Sequence, residues 1–421
     1  MERIVLIEGQ FYSEPIPLLA QRLGLDRYSL VESLYGVDDY LNHRLSVSGT
    51  LRLDRQHFSF SRIAGIFRVN DCLEIEVVPK FLTGSEAWRA DFLLLLTRTR
   101  WGVTTGQQMV GVAASREHGI SDTLAMVFLA MFDEVCHVPV RSYQRRVIHS
   151  FQVIGDLDEE SIVMPELDGF SQGITEFSRC NEFNAVISHA AQVLMSATID
   201  FSLRARLQRV ISFLGPQRGL TSYRPKRVPS RFANWTEIYD LSTDILDGYG
   251  IDYLNQGGLQ SPGFVVRTSD AWEEYIRQAL VLGMKGCVVS FQEKHRFAKR
   301  DHSFVQVRPD YVVRADDGRA VLVDAKYKYS DAKAKTISNA DIYEGWAFMK
   351  ATGIPRLLLL YPYADGDMEE KFELFQSVAD EENEIFGIRV NPQIRKSSGP
   401  TVFADELAYY ISSFMLPCDV R

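Results

Sequence analysis

Two apolar runs, Tyr311-Val312-Val313 and Val321-Leu322-Val323, flank Asp316-Asp317-Gly318, and no other stretch constrains the chain as tightly. Asp-Gly between apolar runs is the strongest short-range hairpin signal, because glycine accepts the positive φ of a tight turn. Pro309-Asp310 leads into the first strand, and Asp324-Ala325-Lys326 closes the second. Residues two apart in a strand share a face, so Asp324 and Lys326 point the same way. Pairing across the turn then brings Asp310 alongside Asp324.

Two carboxylates converging on one spot repel, and a divalent cation relieves the repulsion. Hard oxygen donors suit Mg2+, which takes few protein carboxylates and keeps several waters, with Mn2+ as the expected substitute. A neighbouring lysine can orient a water or stabilise developing negative charge, and such a set serves phosphodiester hydrolysis. Two acids and a lysine at loose spacing also suit a solvated hairpin with a surface ion pair, so the surrounding sequence has to decide.

A chain of 421 residues has room for two or three domains, each with its own core. The net charge of −9 argues against a protein that coats DNA through general basicity, so nucleic-acid contact must come from local patches or a partner. The five cysteines form no CxxC pair, which fits a reducing cytoplasm and argues against a zinc ribbon. No apolar run is long enough to span a bilayer, no secretory signal opens the chain, and no GxxxxGK[ST] phosphate loop occurs.

Along the chain, residues 1–110 read as mainly β, with strands expected at Ile4–Ile7, Thr50–Leu53, Phe58–Phe60, Ile63–Val69 and Leu73–Phe81. A short helix is expected over Pro15–Leu23 and another over Trp88–Thr99. Residues 111–258 read as mostly helical, with helices at Ile120–Val135, Asn181–Ala197, Ile199–Leu214 and Asn234–Leu246. The Gly-, Gln- and Pro-rich stretch Asn255–Gly263 marks a boundary. From there to residue 421 the order is helix (Ser269–Leu282), strand (Val288–Phe291), the hairpin, helix (Asn339–Ala351) and the near-continuous apolar strand Leu357–Tyr361, followed by Ile388–Val390 and a helix at Ala404–Phe414. An apolar run of the Leu357–Tyr361 kind belongs at the centre of a sheet covered on both faces. The fold class expected is α+β and multidomain, ending in an α/β domain with a central mixed sheet.

Pro309-Asp310 and Asp324-Ala325-Lys326 resemble the PD-(D/E)xK nuclease motif, and helix, three strands, helix, strand is the core order of that fold. The resemblance implies Asp310 and Asp324 as metal ligands, the carbonyl of Ala325 as a further one, and Lys326 as the catalytic lysine. The first helix of that fold often adds an acid, and Trp272-Glu273-Glu274-Tyr275 points to Glu273. Several relatives carry Gln-x-x-x-Tyr in the second helix, where this chain has Glu344 and Phe348. Lys294, Arg296, Lys299 and Arg300 form a dense cationic loop in an acidic chain, suited to sequence-blind phosphate contact on double-stranded DNA. Lys328 is a further phosphate-contact candidate, and His295 and His302 stand near enough to join.

Nearly the whole chain is similar to the McrC family, the nuclease subunit of McrBC-type restriction systems. The residues that carry this are Gly65-Ile66, Ile75 to Phe81, Asn184 to Ile187, Trp272 to Tyr275, Pro309-Asp310, Asp324 to Lys328 and Leu360-Tyr361-Pro362. Relatives often have Arg after the glycine where this chain has Gly155-Asp156. The resemblance implies a cytoplasmic, Mg2+-dependent endonuclease subunit, type IV-like, that docks through its N-terminal region on a McrB-like AAA+ GTPase and stimulates its hydrolysis. The absent phosphate loop fits that division of labour. Two alternatives remain at this point: a non-catalytic adaptor of an AAA+ ring built on a nuclease-like scaffold, and a stand-alone nuclease.

Overall fold

The computed structural model describes residues 2–83, 88, 89, 92, 120–217, 220, 224, 226–249, 264–300, 303–327, 336–363, 372–392 and 399–417. Outside them lie most of the Trp88–Thr99 helix, the Asn255–Gly263 boundary, Lys328, His302 and both expected segment joins. The chain forms two compact units, Met1–Ile120 with Gly258–Arg421, and Ser121–Gly257. The first and last of the three expected segments therefore belong to one unit. Among the described residues no helix is long and apolar enough to cross a membrane.

In the first unit the N-terminal elements are β1 (Glu2–Ile7), α1 (Ile16–Arg22), α2 (Arg27–Leu45), β2 (Leu51–Leu53), β3 (Phe58–Phe60), β4 (Ile63–Arg68) and β5 (Leu73–Val78). The segment expected to be mainly β thus carries a 19-residue helix, capped by Asp26, whose carboxylate accepts from Tyr28 N and Ser29 N. Leu30, Leu34, Val37 and Leu41 recur at helical spacing and are buried against the strands. β1, β5 and β4 lie side by side, and a strand from far down the chain, β6 (Val265–Arg267), completes the sheet against β4. Glu74 and Glu76 on β5 are buried; Arg3 pairs with both, at 2.6 and 3.5 Å. Paired guanidinium groups are what make such buried carboxylates tolerable.

The C-terminal part continues with α3 (Thr268–Gly283), β7 (Cys287–Phe291), β8 (His295–Arg300), β9 (Ser303–Val307), β10 (Tyr311–Ala315), β11 (Arg319–Ala325), α4 (Asn339–Thr352), β12 (Arg356–Pro362), β13 (Phe372–Ala379), β14 (Glu384–Val390), α5 (Gly399–Ser412) and β15 (Leu416–Pro417). The main sheet runs β7-β10-β11-β12-β14-β13, with β15 paired to β11. β11, β12 and β14 are mutually parallel, and the other pairs are antiparallel. Leu357 to Leu360 on β12 are fully buried at the middle of this sheet. The Asp-Gly turn forms as expected, with Gly318 at φ 84°. The cationic stretch is a correction: Lys294 stands in the turn before β8, and Arg296, Lys299 and Arg300 lie in the β8–β9 hairpin rather than in a loop.

The second unit has helices at Ile120–Val135, Glu159–Val163, Glu182–Ala197, Phe201–Leu214 and Thr236–Tyr249. It also holds a sheet the sequence does not announce. Ser142–Ser150 pairs along its whole length with Phe170–Ser178, which pairs in turn with Asp156–Leu157. Polar and apolar residues are mixed on both faces of each long strand, so they lack the buried apolar alternation that marks a strand.

Candidate active site

The site gathers where β10 begins and β11 ends. Tyr311 pairs with Val323, so the next residues outward, Asp310 and Asp324, meet at the same edge of the hairpin. Asp310 Oδ2 accepts from the Ala325 N–H at 2.8 Å, which fixes its carboxylate over the strand end. The Lys326 N–H donates to Leu360 O at 3.0 Å, prolonging the parallel pairing with β12 by one residue. Lys326 Nζ lies 2.7 Å from Asp324 Oδ2 and 2.7 Å from Glu344 Oε2 on α4. The lysine thus faces a carboxylate cluster and not an apolar interior.

Glu273 approaches from α3, whose apolar stripe Ala271, Trp272, Tyr275, Ile276, Ala279 and Leu280 is buried. Trp272 Nε1 donates to Leu360 O at 3.2 Å, and the Tyr311 hydroxyl donates to the backbone carbonyl of Glu273. Glu273 Oε1 accepts from Gln292 Nε2 at 2.7 Å, and the Gln292 N–H donates to Asp310 O at 2.9 Å. Glu274 is instead held by Arg277 on its own helix.

The electrostatics are those of acids crowded out of water. Burial, then the charges of Asp324 and Glu273, push Asp310 up to about 8. Burial raises Asp324 against the pull of Lys326. Burial raises Glu273 against its bond from Gln292. Burial would lower Lys326, but the Asp324 carboxylate and then Glu344 outweigh it and hold the ammonium charged. Asp324 is 2% exposed, and its Oδ2 is paired with the Lys326 ammonium at 2.7 Å. Buried oxygen donors that repel one another fit a hard divalent cation.

The expected site residues Asp310, Asp324, Lys326 and Glu273 therefore lie together, with Ala325 between the two hairpin residues. Of the cationic set, Lys294, Arg296 and Lys299 are exposed, and Arg296 lies over the Phe304 ring at 4.5 Å. The hairpin carrying them springs from β7 just past Gln292. Residue-pattern reasoning missed Gln292 and gave Glu344 no role. Gln292 belongs to no motif, and Glu344 departs from the Gln-x-x-x-Tyr pattern at its position; α4 lying against the sheet, and β7 ending beside Asp310, bring them in.

Fold and site define a mixed α/β protein whose central sheet presents acids and a lysine at adjoining strand ends. Residues 59–362 match the family described as McrBC 5-methylcytosine restriction system component, and the chain belongs to that family. The fold is similar to a chain of the refined half-complex from the tetradecameric assembly of Thermococcus gammatolerans McrB AAA+ hexamers with bound McrC. That match has a TM-score of 0.70 at 14% identity, covering 97% of this chain and 100% of the other. A second, from the cryo-EM structure of the Thermococcus gammatolerans McrBC complex, has a TM-score of 0.51 at 13% identity, covering 66% of this chain and 87% of the other. No curated protein sequence matches the chain.

Proposed function

We propose that this chain is the McrC-type DNA endonuclease subunit of a McrBC-like restriction system, cleaving phosphodiesters with Mg2+ and stimulating an AAA+ GTPase partner. The observation that carries the reading is the meeting of Asp310, Asp324, Glu273 and Lys326 at one sheet edge, with three acids crowded out of water around one ammonium. Asp310, Asp324, Glu273 and the Ala325 carbonyl would hold Mg2+, which supplies Lewis acidity and an acidified water. Lys326, charged and between two carboxylates, would orient that water and offset negative charge growing on the phosphate. Lys294, Arg296, Lys299, Arg300 and Lys328 would neutralise backbone phosphates of double-stranded DNA without reading its sequence.

The partner follows from family membership, with docking through the N-terminal segment, and the second unit offers a further apolar surface. Val147, Phe151, Val153, Ile154, Val163 and Leu167 all lie more than half exposed in or near its sheet. Exposed apolar groups in this number mark a contact with another protein. The adaptor reading shares this surface and differs only in the chemistry.

The test is cleavage of plasmid DNA by the purified chain with its AAA+ partner, GTP and Mg2+. Asp324→Ala and Lys326→Ala are each expected to abolish cleavage while leaving the circular dichroism spectrum and GTPase stimulation intact. Undiminished cleavage by both variants would discard the assignment. No cleavage by the wild-type complex, with stimulation retained, would favour the adaptor.

A further inference from the structure

Glu8 follows β1 and is 2% exposed, and nothing in the chemistry above uses it. Its Oε1 accepts from Thr268 Oγ1 and from the Arg62 N–H, each at 2.9 Å. Its Oε2 accepts from the Tyr327 hydroxyl at 2.6 Å and from the Lys80 N–H at 3.4 Å. Thr268 is the first residue of α3, the helix that carries Glu273. Tyr327 comes directly after Lys326. One carboxylate from the N-terminal segment therefore grips both elements that bring acids to the site.

Packing closes the same joint. The Phe81 ring lies 5.8 Å from Trp272 and 5.9 Å from Tyr327, and Lys80 Nζ sits 5.7 Å from the Tyr327 ring centroid. Trp272, next to Glu273, and Lys326 donate to the same Leu360 carbonyl, at 3.2 and 3.0 Å. Arg62 holds a left-handed φ of 66°, unusual for a residue with a side chain, and Glu8 takes its N–H. Burying a carboxylate costs more than apolar packing of the same volume. A network this fully satisfied is better explained by the geometry it enforces than by stability.

We propose that Glu8 is a positioning residue of the metal site, setting the separation between Glu273 on α3 and the Asp324–Lys326 strand end. This rests on the reading of that cluster as a divalent-cation site. The full-length chain would be titrated with Mn2+ by electron paramagnetic resonance, and its amide hydrogen exchange followed by mass spectrometry. Glu8→Gln and Tyr327→Phe are compared with wild type; the second deletes one hydroxyl and keeps the ring against Phe81. Glu74→Gln, a buried carboxylate of the same sheet bonded to Arg3, is the control.

Both test variants are expected to bind Mn2+ about 10-fold more weakly, the size of effect seen when groups behind metal ligands are removed. Exchange is expected to quicken at 268–275 and 322–327, with neither change in the control. Unchanged Mn2+ affinity, or faster exchange confined to 2–9 and 60–63, would overturn the proposal. Should the wild-type chain bind no Mn2+, the cation-site reading fails. The exchange result then still decides whether Glu8 fixes the two elements.

Discussion

Glu344 Oε2 lies 2.7 Å from Lys326 Nζ, so the lysine at the strand end is shared between an acid on its own strand and one on α4. Glu344→Gln keeps the shape and removes one charge, leaving Lys326 drawn more strongly to Asp324 and less available to a water or phosphate. Cleavage is expected to fall about 10-fold without being lost, the lower end of what groups behind a metal site contribute. Single-turnover rates with the partner present measure this. A loss as complete as that of Lys326→Ala would make Glu344 a direct participant.

The crowded carboxylates set a pH dependence. Asp310 keeps its proton to about 8 in the folded chain, while the unfolded chain releases it in the ordinary carboxylate range. Between those limits the folded state binds more protons, so metal-free stability is expected to fall as pH rises towards 8. Asp310→Asn should flatten this slope and raise the melting temperature at pH 8. Mg2+ should reverse the slope in the wild type, because binding requires the ionised acids. Thermal melts from pH 5 to 9, with and without Mg2+, report both effects.

The catalytic hairpin was legible because its information is local: Asp-Gly fixes the turn, the turn fixes the register, and the register places Asp310 against Asp324. Leu357–Leu360 was legible for a similar reason, since an unbroken apolar run fits only a covered strand. α2 keeps a helical stripe at Leu30, Leu34, Val37 and Leu41, but Gly36, Asp38 and Asp39 lower the helix propensity around it. The strands Ser142–Ser150 and Phe170–Ser178 were hidden because polar and apolar residues are mixed on both faces of each, which removes the period-two signal. β6 was hidden because three residues joining β4 across two hundred others leave no local trace. Gln292 and Glu8 are tied to the site by tertiary packing alone.

The cationic hairpin should act through charge, not sequence. Alanine at Lys294, Arg296 and Lys299 together is expected to weaken DNA binding about equally on unrelated duplexes. The slope of log K against log salt should shrink by about 0.9 for each phosphate contact removed. Fluorescence anisotropy across a salt series measures it. An unchanged slope would show that the hairpin does not touch phosphate.

The exposed apolar surface of the second unit should serve the partner. Phe151→Asp and Leu167→Asp, at positions 64% and 105% exposed, are expected to change stability by no more than about 0.5 kcal/mol. The same changes should weaken the complex with the AAA+ partner at least 10-fold, as burying a new charge in an apolar contact would. Size-exclusion chromatography and GTPase stimulation check this. Full stimulation by both variants would place the contact elsewhere.

Gly345, beside Glu344 on α4, tests how closely that helix must approach the sheet. A Cβ there would stand 2.6 Å from Leu357 Cδ2 and 2.8 Å from Ile385 Cδ1, both on fully buried residues. Two effects of Gly345→Ala oppose each other. Replacing glycine inside a helix stabilises by about 1 kcal/mol. Forcing a methyl group into a packed core costs about 1–3 kcal/mol, and these neighbours have no solvent to retreat into. The clash is expected to win, with net destabilisation of about 1 kcal/mol by chemical denaturation. Because the helix lifts from the sheet, Glu344 should withdraw from Lys326, so the cleavage rate should drop towards that of Glu344→Gln. Trimming the obstacle with Leu357→Val or Ile385→Val should recover stability beyond the sum of the single changes, and with it the rate. A Gly345→Ala chain as stable and active as wild type would show that the helix moves freely on the sheet and that Glu344 is not held in place by it.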